Sequence, residues 1–178
     1  MKKVVWGITG SGDLLEETLG IIEELCEKEL LEVTTCLSKA GAMVVRWYGL
    51  MDRLKTFSKK VYVEVDANTP FIAGPLQVGK YHSLLVAPAT ANTVAKIVHG
   101  IADTLITNAV AQAQKGRTPV FILPCDQEAG EKPTRLPDGK EIKILIRDID
   151  VENVKKLQTM KGIRVLRAPQ EIFSIYSE

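Results

Sequence analysis

Residues 83–116 read SLLVAPATANTVAKIVHGIADTLITNAVAQAQKG, and this stretch constrains the fold more than any other. An apolar strand, Leu84 to Ala87, ends at Pro88; the small polar loop Pro88-Ala89-Thr90-Ala91-Asn92-Thr93 follows, and a helix then opens. In an open α/β sheet, ligands sit at the carboxyl ends of the strands, where such loops lie. Small residues let a ligand approach the backbone, and a helix amino terminus favours an anion. The loop has the make-up of a cradle for a phosphorylated ligand.

The rest of the chain repeats the strand–loop–helix pattern. Lys3 to Ile8 forms a buried-type strand, Thr9-Gly10-Ser11-Gly12 a tight turn, and Asp13 an N-cap with Glu16 three residues on, as in a capping box. Leu15, Leu19, Ile22 and Leu25 then recur at helical spacing. Glu32 to Leu37 is a second strand, followed by Ser38-Lys39-Ala40-Gly41 and a helix carrying Met43, Val44 and Trp47. Val61 to Val65 alternates as a short strand, and residues 66–80 read as loop with a short helix. Asn92–His99 and Asp103–Lys115 are expected as helices, and Pro119–Leu123 as a strand. Residues 124–140, rich in Pro, Gly and charge, are expected as a long functional or mobile loop. Glu141–Ile146 alternates like a strand, Asp150 caps a helix with Val151, Val154, Leu157 and Met160 on one face, Ile163–Leu166 is a last strand, and Pro169 opens a final helical turn. Strands alternating with helices imply a mostly parallel sheet covered on both faces.

Composition narrows the function. A length of 178 residues suits one domain with a sizeable core. A net charge of +1 gives no reason to invoke nucleic acid or a membrane surface, and no apolar run is long enough to span a bilayer. Cys26, Cys36 and Cys125 are far apart with no CxxC, which argues against a disulfide framework, a metal site or a protein-bound iron–sulfur cluster and for a cytoplasmic setting.

Each candidate site has a plainer alternative. Thr9–Gly12 lacks the third glycine of GxGxxG and the lysine of a P-loop, so alone it is equally a simple turn. Ser38 after a strand is often only an N-cap, and Asn92 or Thr93 could cap a helix. Three such loops on one sheet edge favour a shared ligand site. His99 reads as structural and His82 as surface polar; neither has a Ser or Cys partner at triad spacing. Cys125 is either a buried thiol or, with Asp126, a ligand or substrate contact. A nicotinamide site is disfavoured, because no acidic residue ends the second strand.

These residues resemble a known family. ITGSG at 8–12, LSKAG at 37–41 and above all APATANTVAKIVHGIADTLITNAV at 87–110 are similar to the homo-oligomeric flavin-containing Cys decarboxylase superfamily, whose decarboxylases carry PASANT in place of PATANT. The resemblance implies a three-layer Rossmann-type (flavodoxin-like) doubly wound sheet, a single flavoprotein domain over 1–178, FMN as cofactor, and trimers or multiples of trimers with the flavin at a subunit interface. It puts Thr9, Gly10, Ser11, Gly12, Ser38, Ala89, Thr90, Asn92 and Thr93 on flavin-contacting positions, with Thr107 and Asn108 near the ring.

Two decarboxylase elements are absent. Gly74-Pro75-Leu76-Gln77 stands where an HxEL-type segment belongs, and Pro124-Cys125-Asp126-Gln127-Glu128-Ala129-Gly130 stands where PxMNxxMW belongs. WGITGSGDLLEE and PCDQEAG instead resemble the branch of archaeoflavoprotein and dihydromethanopterin reductase (acceptor). That branch implies redox use of FMN, with a ferredoxin-like donor and a dihydropterin acceptor. Cys125 and Asp126 then border the substrate side, and 126–140 is expected as a mobile loop or a lid. An electron-transfer module without its own substrate and a decarboxylase using His82 are the alternatives.

Overall fold

A computed structural model describes residues 1–178. Six parallel strands make one sheet in the order β3-β2-β1-β4-β5-β8: β1 (Lys2–Ile8), β2 (Leu31–Leu37), β3 (Lys60–Val63), β4 (Ser83–Ala89), β5 (Val120–Pro124) and β8 (Ile163–Val165). Chain order runs outward from β1 to one edge and then from β4 to the other. This doubly wound arrangement makes the gap between β1 and β4 the topological switch point. In register, Gly7 of β1 lies beside Cys36 of β2 and Val86 of β4.

The strands are near-continuous apolar runs because both faces are covered. On one face, Trp6, Ile8 and Val33 pack with Leu15, Leu19, Ile22 and Leu25 of α1 (Leu15–Glu27), Val44 and Val45 of α2 (Lys39–Trp47), Leu54 of α3 (Met51–Phe57) and Tyr176 of α8 (Gln170–Ser177). On the other, Val5, Leu84, Val86 and Ile122 pack with Leu76 of α4 (Ala73–Gln77), Val94 and Ile97 of α5 (Ala91–Val98), Ile106 and Val110 of α6 (Leu105–Lys115), and Leu157 of α7 (Asp148–Gln158). The three-layer Rossmann-type fold is therefore present. No helix is long and apolar enough to cross a membrane.

Several sequence expectations change. Pro88 and Ala89 continue β4, so the six-residue loop shrinks to Thr90, which caps α5 itself; Asn92 and Thr93 are already helical. Asp13 is not the cap of α1: Leu14 takes that place in the left-handed region with no side-chain cap bond. Asp150 is not a cap either but lies inside α7, buried and paired with Arg147. α3 carries too little helical periodicity to be read from sequence. The largest change is at 124–140, where Gly130–Arg135 is a strand, β6, antiparallel to β7 (Glu141–Ile146). Leu136-Pro137-Asp138-Gly139 makes the turn, with the Gly139 N–H donating to the Leu136 carbonyl (2.9 Å) and Gly139 at φ 86. Proline presets the second turn position, and glycine takes the left-handed one that a side chain disfavours.

Across the switch point, the Thr9 hydroxyl donates to the Pro88 carbonyl (2.8 Å) and accepts from the Thr90 N–H (2.9 Å). Thr9 is buried, and losing its hydroxyl removes the acceptor of the half-buried Thr90 N–H and one of the two hydrogen bonds to the Pro88 carbonyl. Thr9→Val is expected to cost about 1–3 kcal/mol. A fall in the urea midpoint at unchanged slope would show it, whereas an unchanged midpoint would show that the tie contributes nothing.

Candidate functional site

Where β1, β4 and β5 end, a cleft of about 430 Å³ opens. Gly10, Ser11 and Gly12 from the turn after β1, Thr90, Ala91 and Asn92 from the start of α5, and Cys125 and Asp126 after β5 line its polar side. Val44, Trp47 and Tyr48 from α2 and Leu136 and Ile144 from the hairpin line its apolar side.

The polar side is rich in free donors. The backbone N–H groups of Gly10 and Gly12 have no acceptor within the chain. At α5, the N–H groups of Thr93 and Val94 are taken by the Thr90 side chain and carbonyl, leaving those of Ala91 and Asn92 without an intrahelical acceptor. Such converging N–H groups at a helix start favour an anion. The glycines also serve packing. A Cβ at Gly10 would stand 2.6 Å from the Ala40 Cβ, and one at Gly12 would collide with the Tyr48 hydroxyl. These contacts bring α2 against the turn and hold Tyr48 beside the donors.

The hairpin closes the cleft from above. The Tyr48 hydroxyl donates to the Arg135 carbonyl (2.6 Å). Lys132 Nζ pairs with the Asp13 carboxylate and donates to the Cys125 carbonyl (2.9 Å). Burial, and secondarily the Asp13 charge, raises the Tyr48 pKa, so the phenol keeps the proton it donates. Trp47 is 59% exposed, which leaves its indole available to a flat molecule in the cleft.

Two titratable groups, Cys125 and Asp126, line the cleft after β5. Burial pushes the Cys125 thiol up to about 12, so it stays protonated at neutral pH and is no thiolate nucleophile. Asp126 is half-buried, and burial raises its carboxyl above the usual range, with Asp150 and Asp13 adding to the rise and Lys132 and Arg147 opposing it. Asp126 therefore holds a proton to a higher pH than a free aspartate does.

The sequence-derived candidates divide into two groups. Gly10, Ser11, Gly12, Thr90, Asn92, Cys125 and Asp126 come together in the cleft. Thr9, Ala89 and Thr93 stand just behind its lining, where Thr9 ties the strands, Ala89 is in the core and Thr93 bonds Thr90. Ser38, Thr107 and Asn108 do not line the cleft. The Ser38 hydroxyl accepts from the Gly41 N–H (2.9 Å), Thr107 completes a capping box with Thr104, and Asn108 Nδ2 donates to the Ala67 carbonyl (2.8 Å). Glu64 sits among them unforeseen, accepting the first-turn N–H groups of both Lys39 and Leu105. Sequence reading also missed Asp13, Tyr48, Lys132 and the hairpin; Pro-Asp-Gly between two alternating runs was the available signal. His82 immediately precedes the other end of β4, about 26 Å along the strand from Thr90 in the cleft at 3.3 Å per residue. His99 is the exposed C-cap residue of α5 rather than a buried structural one.

A family model described as Flavoprotein matches residues 1–177. An uncharacterized protein of Methanocaldococcus jannaschii is 52% identical over 97% of this chain and 92% of its own length. A dihydromethanopterin reductase (acceptor) of the same organism is 36% identical over 98% of this chain and 96% of its own. Among solved structures, Burkholderia xenovorans DmrB in complex with FMN, described as a cubic protein cage for redox transfer, superposes with a TM-score of 0.83 at 33% identity, covering 99% of this chain and 93% of that one.

The hairpin latch is testable. Replacing both donors (Lys132→Met with Tyr48→Phe) is expected to speed amide exchange across 130–146 while β1 and β4 keep their protection. Unchanged exchange would mean that apolar contacts alone hold the hairpin.

Proposed function

The chain belongs to the Flavoprotein family, and from that premise we propose that it is an FMN-dependent oxidoreductase that reduces a dihydropterin of the dihydromethanopterin class with electrons from a ferredoxin-like donor. The observation that carries this reading is the set of acceptor-free N–H groups of Gly10 and Gly12, beside the start of α5, at the switch point of the sheet. They suit a phosphate, and the apolar wall of Val44, Trp47, Tyr48, Leu136 and Ile144 suits a flat ring system. The cleft thus fits the two ends of a flavin mononucleotide. The superposition on DmrB with FMN supports the same cofactor, and that protein's cage supports a homo-oligomer here.

FMN, when bound, supplies one- and two-electron chemistry that amino-acid side chains lack. The residues of this chain do the rest. Gly10, Gly12, Ala91 and Asn92 would hold the phosphate through backbone N–H groups, and Ser11 and Thr90 would contact the ribityl chain. Trp47 and Tyr48 would cover the apolar side of a bound ring. Ser38, Thr107 and Asn108, which stand outside this cleft, would reach a flavin only across a subunit interface. The hairpin is the lid, and Lys132 and Tyr48 are its latches. Reducing a C=N bond consumes two electrons and two protons, and the Asp126 carboxyl, whose pKa burial raises, lies beside the cleft where it would donate one of those protons.

A decarboxylase role for His82 is disfavoured by its position at the opposite end of β4. Purified protein is expected to be yellow and to bleach anaerobically under dithionite, then to regain colour when a dihydropterin is added. Colourless protein that takes up no FMN would sink the proposal. Reduction by ferredoxin without pterin turnover would make the protein an electron carrier instead.

Asp126 has its own test. Because its pKa is raised, a rate that needs its proton falls as pH rises through that pKa. Asp126→Asn is expected to retain FMN, to lose about 100-fold or more in turnover, and to lack that alkaline fall. An unaltered pH profile in the variant would remove Asp126 from the proton path.

A further inference from the structure

On the other side of the Lys132 bridge lies a second cleft, of about 570 Å³, that the proposed flavin chemistry does not use. The two clefts share Cys125, so only one residue's thickness of chain separates them at that point. β6, the end of β5, α7 and the turn after β8 form its walls. Leu14, Ile146 and Val154 supply an apolar back.

Its charges are uneven. Lys155 from α7 and Arg167 after β8 both line the cleft, and neither makes an ion pair. Of the two carboxylates in the lining, Glu131 is paired with Lys143 (3.7 Å), which leaves Glu128 as the single unpaired acid against two unpaired cations. The floor is braced. The Gln127 Nε2 amide lies within bonding distance of the carbonyls of Pro124 (2.9 Å), Leu166 (3.1 Å) and Arg167 (3.3 Å). That brace fixes the backbone carrying Arg167 against the end of β5, so its cation is placed by the fold rather than by a free tail.

We propose that this second cleft binds the anionic tail, phosphate or carboxylate, of the small molecule that accepts electrons at the flavin cleft. The acceptor's reacting ring lies toward Cys125, and its tail lies across the cleft between Lys155 and Arg167. Arginine matches an oxyanion with a planar fork and lysine with a point charge, and the apolar back accommodates the linker between ring and tail. The assignment of the tail to an electron acceptor rests on the flavin reading; the anion site itself does not.

The test uses the whole protein as purified, with the double variant K155A/R167A. Both side chains are exposed, and the floor brace uses only the Arg167 backbone, so the fold is expected to persist. Inorganic phosphate titrated by calorimetry should bind the wild type and bind the variant at least about tenfold more weakly, the loss of charge-assisted contacts. Flavin content and dithionite bleaching should not change. In steady state, KM for dihydrofolate, which carries a glutamate tail, should rise about tenfold in the variant. KM for 7,8-dihydropterin, which has no tail, should stay put.

Equal phosphate binding by the two proteins overturns the site. A KM rise of the same size for both pterins overturns the assignment to a tail. Loss of phosphate affinity in the variant with no change in KM for the glutamate-tailed probe keeps the anion site and overturns its assignment to the acceptor's tail. A protein that takes up no flavin but still loses phosphate affinity in the variant retains the anion site and loses the flavin reading.

Discussion

The hydroxyl of Thr9 is the contact on which the cleft depends. It bridges the Pro88 carbonyl and the Thr90 N–H, joining the end of β1 to the end of β4 at the point where the strand order reverses. The regular β1–β4 register ends at Gly7 and Val86, so the hydroxyl, with the Thr9 N–H to the Pro88 carbonyl (3.3 Å), carries the pairing of these two strands past it. With the tie in place, the turn at Gly10–Gly12 and the start of α5 present donors to the same space. The Cys125 N–H extends the arrangement by donating to the Ala89 carbonyl (3.0 Å), which brings β5 and therefore Asp126 to the same edge.

A parallel sheet of this kind supplies a floor but not a roof. The roof comes from α2 and from the β6–β7 hairpin, a two-stranded unit outside the main sheet. Isolated hairpins are marginal in water. This one has a half-buried inner face of Ile142, Ile144 and buried Ile146, together with two polar latches, at Tyr48 and Lys132. The latches reach to α2 and to the turn after β1, so the hairpin's position reports on the same residues that line the cleft. Lys132 also divides the cleft in two, which gives the molecule one compartment for a flavin-like ligand and a cationic neighbour beside it.

Electrostatics separates the two candidate reactive groups. Cys125 and Asp126 are adjacent, and burial raises both. For the thiol the result is an inert group at neutral pH. For the carboxyl, the same desolvation moves the proton affinity toward the range where a proton can be held and released. The neighbouring cations Lys132 and Arg147 oppose this rise, and the carboxylates of Asp13 and Asp150 support it, so the ion pairs that latch the hairpin and start α7 also set the acidity of Asp126.

Much of this was legible in the chain itself. Apolar runs at 3–8, 32–37 and 83–87, each followed by small polar residues and then helical spacing, are local signals of burial, and they suffice for a parallel α/β sheet and for the edge that binds. Cap identities were less legible: Asp13 has the right residue type, but its carboxylate is drawn to Lys132, which lies 119 positions away. Ser38, Thr107 and Asn108 were grouped with the cleft although their hydrogen bonds are spent within α2, within α6 and on the 67–68 turn. Periodicity reports how each segment buries its own face, so the sequence alone determined the layers and the strand ends. Which side chains share a cavity depends on contacts between distant segments, and only the tertiary structure decided that Tyr48, Asp13, Lys132 and Asp126 meet.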